Sequence, residues 1–239
     1  MNIPIHLPLL HRYLKGEDNI TRSHRHSSVA RFVIFADACT DHDHGLGYYI
    51  PLCGWDSLDI PTLTQYYTSD GLLHNVDINI LEFIAVIVGL CAAIRMLHHD
   101  ITFDMNSHTH IHVWTDNTSC QSWMLCYWSN HPLHSFLIQM FVLLQVQFRI
   151  VVTVGHYPGS INVYADAASR KFCVPHGEQY QRELSLLPLL PYPHCLIQDI
   201  VAIATKRLVN TSSLARDALI SLGGVHGWIT HSATGSITR

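Results

Sequence analysis

Short apolar runs separated by polar turns in the first part of the chain predict strands. Residues 29–38 (VARFVIFADA) are apolar and β-branched, end close to an acid and precede the polar turn CTDHDHG, which predicts a buried strand. Residues 45–51 (GLGYYIP) predict a second strand, antiparallel to the first because the connection is short. Residues 65–68 (QYYT) are the candidate for a third strand.

The pattern then changes to one typical of a helix packed against a sheet. Residues 79 to about 97 are apolar on nearly every side, which predicts a buried helix. The uncharged run between Glu82 and Arg95 covers residues 83–94, shorter than the roughly 18 residues that span a bilayer. We therefore expect a core helix and no membrane association.

Strands and helices alternate through the rest of the patterned region. Residues 108–117 (HTHIHVWTDN) predict a strand that ends at an acid, with His108, His110 and His112 on one solvent-exposed face. The breaker SNHP separates two predicted helices, a further strand follows, and a last helix comes after a Pro-Gly turn. These elements cover residues 119–127, 132–147, 148–155 and 161–170, respectively. The order predicts an α/β fold.

Composition divides the chain into four parts. The patterned region, residues 29–171, predicts one ordered domain, since 48% of the chain is hydrophobic and 13% is charged. Residues 1–28 are a flank, residues 172–195 are rich in proline and predict a linker, and residues 196–239 predict a short helical or loose tail.

Charge and cysteine content restrict the classes of function. The net charge of −4 provides no general attraction for nucleic acid, so a polyanionic substrate needs local contacts or metal ions. Seven cysteines without a CxxC pair favour free thiols in a reducing compartment. The N-terminus lacks a signal-peptide pattern, so we expect an intracellular protein, cytoplasmic or nuclear.

Four carboxylates occupy positions of possible chemical interest. Asp37 and Asp116 end predicted strands, Glu82 lies in the first turns of the buried helix, and Asp166 lies on the last helix. Taken singly, each has an ordinary structural role in a turn, a helix terminus or a solvated face. If they met at one edge of a sheet, they would repel each other unless cations lay among them, and oxygen-rich clusters suit Mg²⁺ or Mn²⁺.

Four segments resemble the ribonuclease H domain of retroelement reverse transcriptases: ADAC (36–39), INILEFIAVIVGL (78–90), VWTDNTSCQSW (113–123) and GHYPGSINVYADAASR (155–170). The last matches the closing signature H-x-P-G-x-x-N-x-x-A-D-x-x-S-R of these domains. The resemblance is greatest to DIRS-like, tyrosine-recombinase retrotransposons, with Ty3/Gypsy-type elements next. It implies a ribonuclease H-like fold with a five-stranded mixed sheet, its first three strands antiparallel, and helices on both faces.

The resemblance also implies a reaction, endonucleolytic hydrolysis of the RNA strand of an RNA–DNA hybrid with two Mg²⁺ or Mn²⁺ ions. The resemblance implies a catalytic role for His156 and for four acids that bind the metal ions, namely Asp37, Glu82, Asp116 and Asp166. It also implies that Asn117 and Asn162 contact the nucleic acid. By the same resemblance, the histidine would assist proton transfer or product release, and Asn162 would contact the nucleic acid or stiffen the loop. Asn162 is equally well interpreted as a helix cap.

Two features of the sequence favour an alternative to an active nuclease. Residues 117–147 contain no Lys or Arg, where cellular enzymes of this family carry a basic handle, and no polymerase motif occurs in the chain. We therefore expect a reverse transcriptase polymerase domain as a partner in cis or in trans, and a chain that is a polyprotein fragment, a truncated gene model or a decayed element. The alternative is a catalytically inactive ribonuclease H-fold remnant that acts as a scaffold or nucleic-acid-binding module.

The tail carries one weaker similarity. Residues 204–219 (ATKRLVNTSSLARDAL) resemble the amino-terminal helical domain of a tyrosine recombinase, which follows ribonuclease H in DIRS-like elements. A surface helix without a function is the preferred interpretation of this segment.

Overall fold

A computed structural model describes residues 30–40, 45–59, 65–67, 73–75, 77–99, 108–129, 132–170 and 178–190. The predicted flank and the predicted tail lie outside these residues. The strands are β1 (Phe32–Cys39), β2 (Gly45–Ile50), β3 (Gly54–Asp59), β4 (Gln65–Tyr67), β5 (Leu73–Asn75), β6 (Thr109–Thr115) and β7 (Ile150–His156). The helices are α1 (Ile78–His99), α2 (Thr118–Cys126), α3 (Pro132–Phe148), α4 (Val163–Ser169) and α5 (Glu178–Leu184).

Five of the strands form a mixed sheet in the order β3-β2-β1-β6-β7. β2 is antiparallel to both β1 and β3, whereas β1, β6 and β7 run parallel to one another. The parallel pairs require crossover connections, which the helices between them provide. As a result, the carboxyl ends of β1 and β6 lie side by side at one edge of the sheet.

The third strand of this sheet is not the predicted segment 65–68. β3 follows β2 almost at once, because Leu52 adopts a left-handed conformation (φ 65°) and the Cys53 amide donates to the Ile50 carbonyl at 3.0 Å. Leucine is uncommon in this conformation, so the signal for the turn is restricted to Pro51 before it and Gly54 after it. Residues 65–67 instead form β4, which pairs with β5 in a separate hairpin.

Helices cover both faces of the sheet, and the predicted fold class is confirmed. On one face, α1, α2 and α3 pack around fully buried side chains such as Ile34, Phe83 and Phe141. On the other face, α4 and α5 pack against Tyr49 and Trp55. The two faces separate because successive residues of a strand point to opposite sides.

The long apolar helix α1 lies in the core, as predicted. Its window Ile78–Leu97 is long and apolar enough to cross a membrane, but 89% of that window is buried within the fold. The side chains of α1 instead provide much of the core on one face of the sheet. Burial of this kind is the main favourable contribution to folding.

The predicted exposure of the β6 histidines is wrong for His112. Its side chain is 1% exposed, its Nδ1 lies 2.7 Å from the Thr153 hydroxyl, and burial lowers its pKa to about 3. His108 is exposed, and His110 is intermediate. The alternation placed the histidines on one face, but that face is covered along part of its length.

Part of the predicted linker 172–195 packs against the sheet. Helix α5 buries Leu184 completely, and the Leu184 carbonyl accepts a hydrogen bond from Trp55 Nε1 at 2.6 Å. Leu189 then forms a parallel bridge with Trp55, and the Tyr48 hydroxyl donates to the Leu190 carbonyl. This segment covers the β3 edge of the sheet, which would otherwise present unpaired backbone groups. The predicted domain boundaries stay predictions.

Candidate metal centre

Three acids from separate elements meet at the edge where β1 and β6 end. Asp37 lies in β1, Asp116 follows β6 directly, and Glu82 projects from the second turn of α1. One carboxylate oxygen of each lies within 4.8 Å of those of the other two. The parallel pairing of Phe35 with Trp114 sets this proximity, because it brings Asp37 and Asp116 to the same level.

Burial makes the charged form of this cluster costly. Burial is the largest cause that raises the pKa of Asp37 to about 8, and the nearby charges of Asp116 and Asp166 raise it further. Burial also raises the pKa of Glu82 well above its usual range, with the charge of Asp37 as the next cause. The pKa of Asp116 is raised as well, first by burial. Without a cation, the cluster therefore retains protons near neutral pH.

The residues present fit a hard divalent cation. Glu82 is 4% exposed, and its Oε2 atom is buried without a hydrogen-bond partner. A buried polar oxygen without a partner is costly unless an ion or a water molecule binds it. Carboxylate oxygens are the ligands that Mg²⁺ and Mn²⁺ prefer. Asp37, Glu82 and Asp116 are the residues that would hold such an ion.

Asp166, the fourth predicted ligand, lies beside the cluster but not within this group. Its Oδ1 atom accepts a hydrogen bond from Arg170 Nε at 2.6 Å, one helical turn away on α4. Its charge nevertheless raises the pKa of both Asp37 and Asp116, so it lies within electrostatic range of them. Its role as a metal ligand stays a prediction.

The loop between β7 and α4 passes directly over Asp116. The Tyr157 amide donates to the Thr115 carbonyl at 2.9 Å, and the predicted turn at Pro158 closes with a bond from the Ile161 amide at 2.9 Å. A β-carbon at Gly159 would lie 2.6 Å from Asp116 Oδ2. Glycine therefore allows the loop to approach the carboxylate closely.

His156 ends β7 at the solvent-exposed side of the site. Its Nε2 atom lies 3.0 Å from the backbone carbonyl oxygen of Asp116. Because a carbonyl oxygen only accepts, Nε2 carries the proton in this contact, and Nδ1 of the neutral ring is left as the proton acceptor. The structure places His156 beside the acids, as the sequence predicted, and its part in proton transfer stays a prediction.

Ser169 is a contact of the site that the sequence interpretation missed. Its hydroxyl is buried and donates to Asp37 Oδ2 at 2.5 Å, and this bond lowers the pKa of Asp37 against the effect of burial. A β-carbon at Gly45 would lie 1.9 Å from the Ser169 carbonyl oxygen. Glycine at this position of β2 therefore allows helix α4 to come close enough for the contact. Two features of the sequence could have indicated this contact: the serine of the closing signature and the two glycines of GLG in β2.

The two asparagines that were predicted to contact nucleic acid both form hydrogen bonds within the protein. Asn117 caps α2 through Oδ1, which accepts from the Cys120 amide at 2.9 Å, and its Nδ2 donates to Asn79 at 2.9 Å. Asn162 is 2% exposed and donates to the Ala36 carbonyl at 3.2 Å, and it makes no side-chain cap bond to α4. Asn162 thus ties the loop to β1, and its burial argues against a surface contact.

The raised pKa values predict how stability depends on pH. A carboxyl whose pKa is higher in the folded state binds its proton more tightly there, so folding stability decreases as the pH rises between the unfolded and folded values. For Asp37 this window runs from about 4 to about 8. Without a divalent cation, we expect the free energy of unfolding to decrease across it, by up to about 1.4 kcal/mol per pH unit for each proton.

Urea unfolding in EDTA at pH values from about 4 to about 8 measures this slope across the whole window. The same series with Mg²⁺ should show a smaller decrease, since an ion that binds only the folded form stabilises it. An increase of stability with pH in EDTA would contradict the prediction.

Comparison with known proteins gives likenesses of fold. No protein-family model matches the chain, and no curated protein is significantly similar to it. The N-terminal ribonuclease H domain of Rv2228c from Mycobacterium tuberculosis, solved as a fusion with maltose binding protein, is 18% identical with a TM-score of 0.44, over 64% of this chain and 96% of that one.

Two further solved structures are similar. Ribonuclease H1 from the halophilic archaeon Halobacterium salinarum NRC-1 is 18% identical with a TM-score of 0.42, over 57% of this chain and 92% of that one. LC11-RNase H1, solved in complex with an RNA/DNA hybrid, is 17% identical with a TM-score of 0.45, over 58% of this chain and 93% of that one. Likenesses at this level concern the fold and carry nothing about the activity of this chain.

Proposed function

We propose that this protein is a metal-dependent endoribonuclease that cleaves the RNA strand of RNA–DNA hybrids. The observation that carries the proposal is the buried cluster of Asp37, Glu82 and Asp116, in which Glu82 Oε2 has no hydrogen-bond partner. A buried acidic cluster at the end of parallel strands suits a divalent cation and a phosphodiester. The closing signature at residues 156–170 is similar to that of retroelement ribonuclease H domains, and this similarity is the reason for proposing the hybrid as substrate.

The side chains of the site have separate roles in this reaction. When bound, divalent cations supply the positive charge that neutralises the phosphodiester and acidifies a water molecule. Ser169 orients the carboxylate of Asp37, and Gly159 lets the loop between β7 and α4 approach the Asp116 carboxylate closely. His156 presents Nδ1 at the solvent-exposed side, where it takes up or returns a proton during the reaction or product release.

The reaction adds water across one phosphodiester bond. The water oxygen forms a bond to phosphorus, the bond from phosphorus to the 3′ oxygen breaks, and the released proton balances the one gained by the 3′ oxygen. The products are 3′-hydroxyl and 5′-phosphate ends. Selectivity for RNA requires a group that senses the 2′-hydroxyl, and the resemblance makes Glu82 a candidate for it.

We place this activity in the reverse transcription of a retroelement, DIRS-like or Ty3/Gypsy-like. Residues 117–147 contain no Lys or Arg, so the domain has little basic surface of its own along α2 and α3. A reverse transcriptase polymerase domain, in cis or in trans, would supply the grip on the hybrid. An intracellular location, cytoplasmic or nuclear, belongs to this proposal, and the free thiols of the described cysteines are consistent with it.

A cleavage assay tests the proposal. A hybrid with a labelled RNA strand is incubated with the protein in Mg²⁺, Mn²⁺ or EDTA, beside duplex DNA and duplex RNA of the same sequence. We expect cleavage of the RNA strand of the hybrid alone, with either metal but not in EDTA. Because residues 117–147 provide no Lys or Arg to hold the phosphates, we expect weak binding of the hybrid and therefore activity mainly at high protein concentration.

The catalytically inactive remnant is the second candidate. The observation that favours it is the absence of cationic side chains in residues 117–147, which leaves a hybrid weakly held. Absence of cleavage at every protein concentration and with both metals would favour the remnant. Cleavage that persists in EDTA would contradict the proposed role of the acids.

A further inference from the structure

Asp166 and Arg170 form an ion pair at the border of the three-carboxylate cluster. The two residues lie one turn apart on α4, with 2.6 Å between Arg170 Nε and Asp166 Oδ1. Their side chains are 24% exposed for Arg170 and 38% exposed for Asp166. The carboxylate that the sequence predicts as a metal ligand thus has a protein cation as its partner.

Both charges of this pair also act on the buried cluster. Asp166 raises the pKa of Asp37, and Arg170 lowers it. The guanidinium therefore lies within electrostatic range of Asp37 as well as in contact with Asp166. It partly fulfils the role that a cation would have on this side of the site.

The backbone of Arg170 is fixed, whereas its side chain lies at the border of the site. Its amide donates to the Asp166 carbonyl at 3.0 Å, and its own carbonyl accepts from Gln181 Nε2 at 3.0 Å. A partly exposed ion pair contributes only about 0–1 kcal/mol. A divalent cation that binds several carboxylates can therefore outweigh the attraction between Arg170 and Asp166.

We propose that Arg170 is the counter-ion of Asp166 in the cation-free protein and competes with a second divalent cation for that carboxylate. This inference rests on the proposed metal site. Asp37, Glu82 and Asp116 would hold the first cation, and Asp166 would be free to hold a second one only when Arg170 no longer pairs with it. The released guanidinium can then pair with a backbone phosphate of the hybrid, since arginine binds carboxylates and phosphates alike.

Calorimetric titration of the full chain with Mn²⁺, without nucleic acid, tests the competition independently of activity. We expect one tighter and one weaker binding event in the unmodified protein. Arg170→Gln should tighten the weaker event about fivefold, the equivalent of about 1 kcal/mol, and leave the tighter one unchanged. Arg170→Lys, which retains the charge, should have a smaller effect.

Two further variants make the result specific. Asp166→Asn should abolish the weaker event with or without Arg170→Gln. Arg149→Gln removes the same charge at the opposite end of β7 and should change neither event. If Arg170→Gln leaves the weaker event unchanged or weakens it, the competition is refuted and Arg170 instead orients Asp166. If no variant binds Mn²⁺ at all, the proposed metal site itself is refuted.

Discussion

Replacing Asp116 by Asn is expected to reduce the rate of RNA-strand cleavage about a thousandfold or more, which corresponds to roughly 4 kcal/mol of lost transition-state stabilisation. Asn retains the shape of the side chain but loses the negative charge that a divalent cation requires. Asp116 is the least buried member of the cluster with Asp37 and Glu82, so this change disturbs the packing least.

The same substitution should not destabilise the cation-free protein. Asp116 raises the pKa of both Asp37 and Glu82, which shows that the three charges repel one another. Removing one of these charges relieves repulsion, so the free energy of unfolding in EDTA should stay constant or increase. Loss of activity combined with a retained fold separates a chemical role from a structural one.

Cleavage rates and urea unfolding of the variant provide the two measurements. Asp77→Asn is the matched control, because Asp77 is an exposed acid just before α1 and outside the cluster. It makes the same change of side chain and should retain activity close to that of the unmodified protein. Substantial cleavage by Asp116→Asn would overturn the assignment of Asp116 to the site.

Replacing Gly47 by Ala is expected to impair both stability and activity, because it forces α4 away from β2. A β-carbon at Gly47 would lie 2.2 Å from the Ser169 backbone nitrogen and 2.7 Å from the Ala165 carbonyl oxygen. These neighbours are backbone atoms, so the contact cannot be relieved by a side-chain rotation. Overpacking of this kind typically costs about 1–3 kcal/mol.

The effect on activity should exceed the effect on stability. Helix α4 carries Ser169, which donates to Asp37, and also Asp166. A displacement of α4 therefore lengthens the Ser169–Asp37 bond and moves Asp166. We expect a loss of cleavage on the order of a hundredfold, since misplacement of a catalytic group by about 1 Å has an effect of this size.

Leu144→Ala is the comparison for this variant. Leu144 is buried on α3, on the other face of the sheet, and its truncation should cost about 2–5 kcal/mol. At a temperature where both variants are folded, Leu144→Ala should retain most of its cleavage rate and Gly47→Ala should not. Equal residual activities in the two variants would show that the close approach of α4 serves stability alone.

Local patterns accounted for most of the elements. The predicted helix at residues 79–97 is α1, and the predicted strand at 108–117 contains β6, because burial periodicity is a property of neighbouring residues. The failure at β3 has a local cause of another kind. The reversal after β2 depends on a positive φ at Leu52, a position where glycine or asparagine is usual, so only the neighbouring Pro51 and Gly54 mark it.

The candidate site was predictable in part. The closing signature identified His156 and Asp166, and the ends of two predicted strands identified Asp37 and Asp116. The hydrogen-bond partners of Asn117 and Asn162 were not predictable, since an amide serves a helix cap, a backbone contact or a ligand equally well. The fold supplies these partners for the half-buried Asn117 and for the buried Asn162.

The sequence by itself determined most of the strands and helices and the acids that stand at their ends, because both depend on neighbouring residues. Only the tertiary structure decided which carboxylates meet. The parallel pairing of β1 with β6 brings carboxylate oxygens of Asp37, Glu82 and Asp116 within 4.8 Å of one another. Asp166 instead forms an ion pair with Arg170. Distances between residues far apart in the chain depend on strand order, register and helix packing, and these are set by the whole core rather than by any one segment.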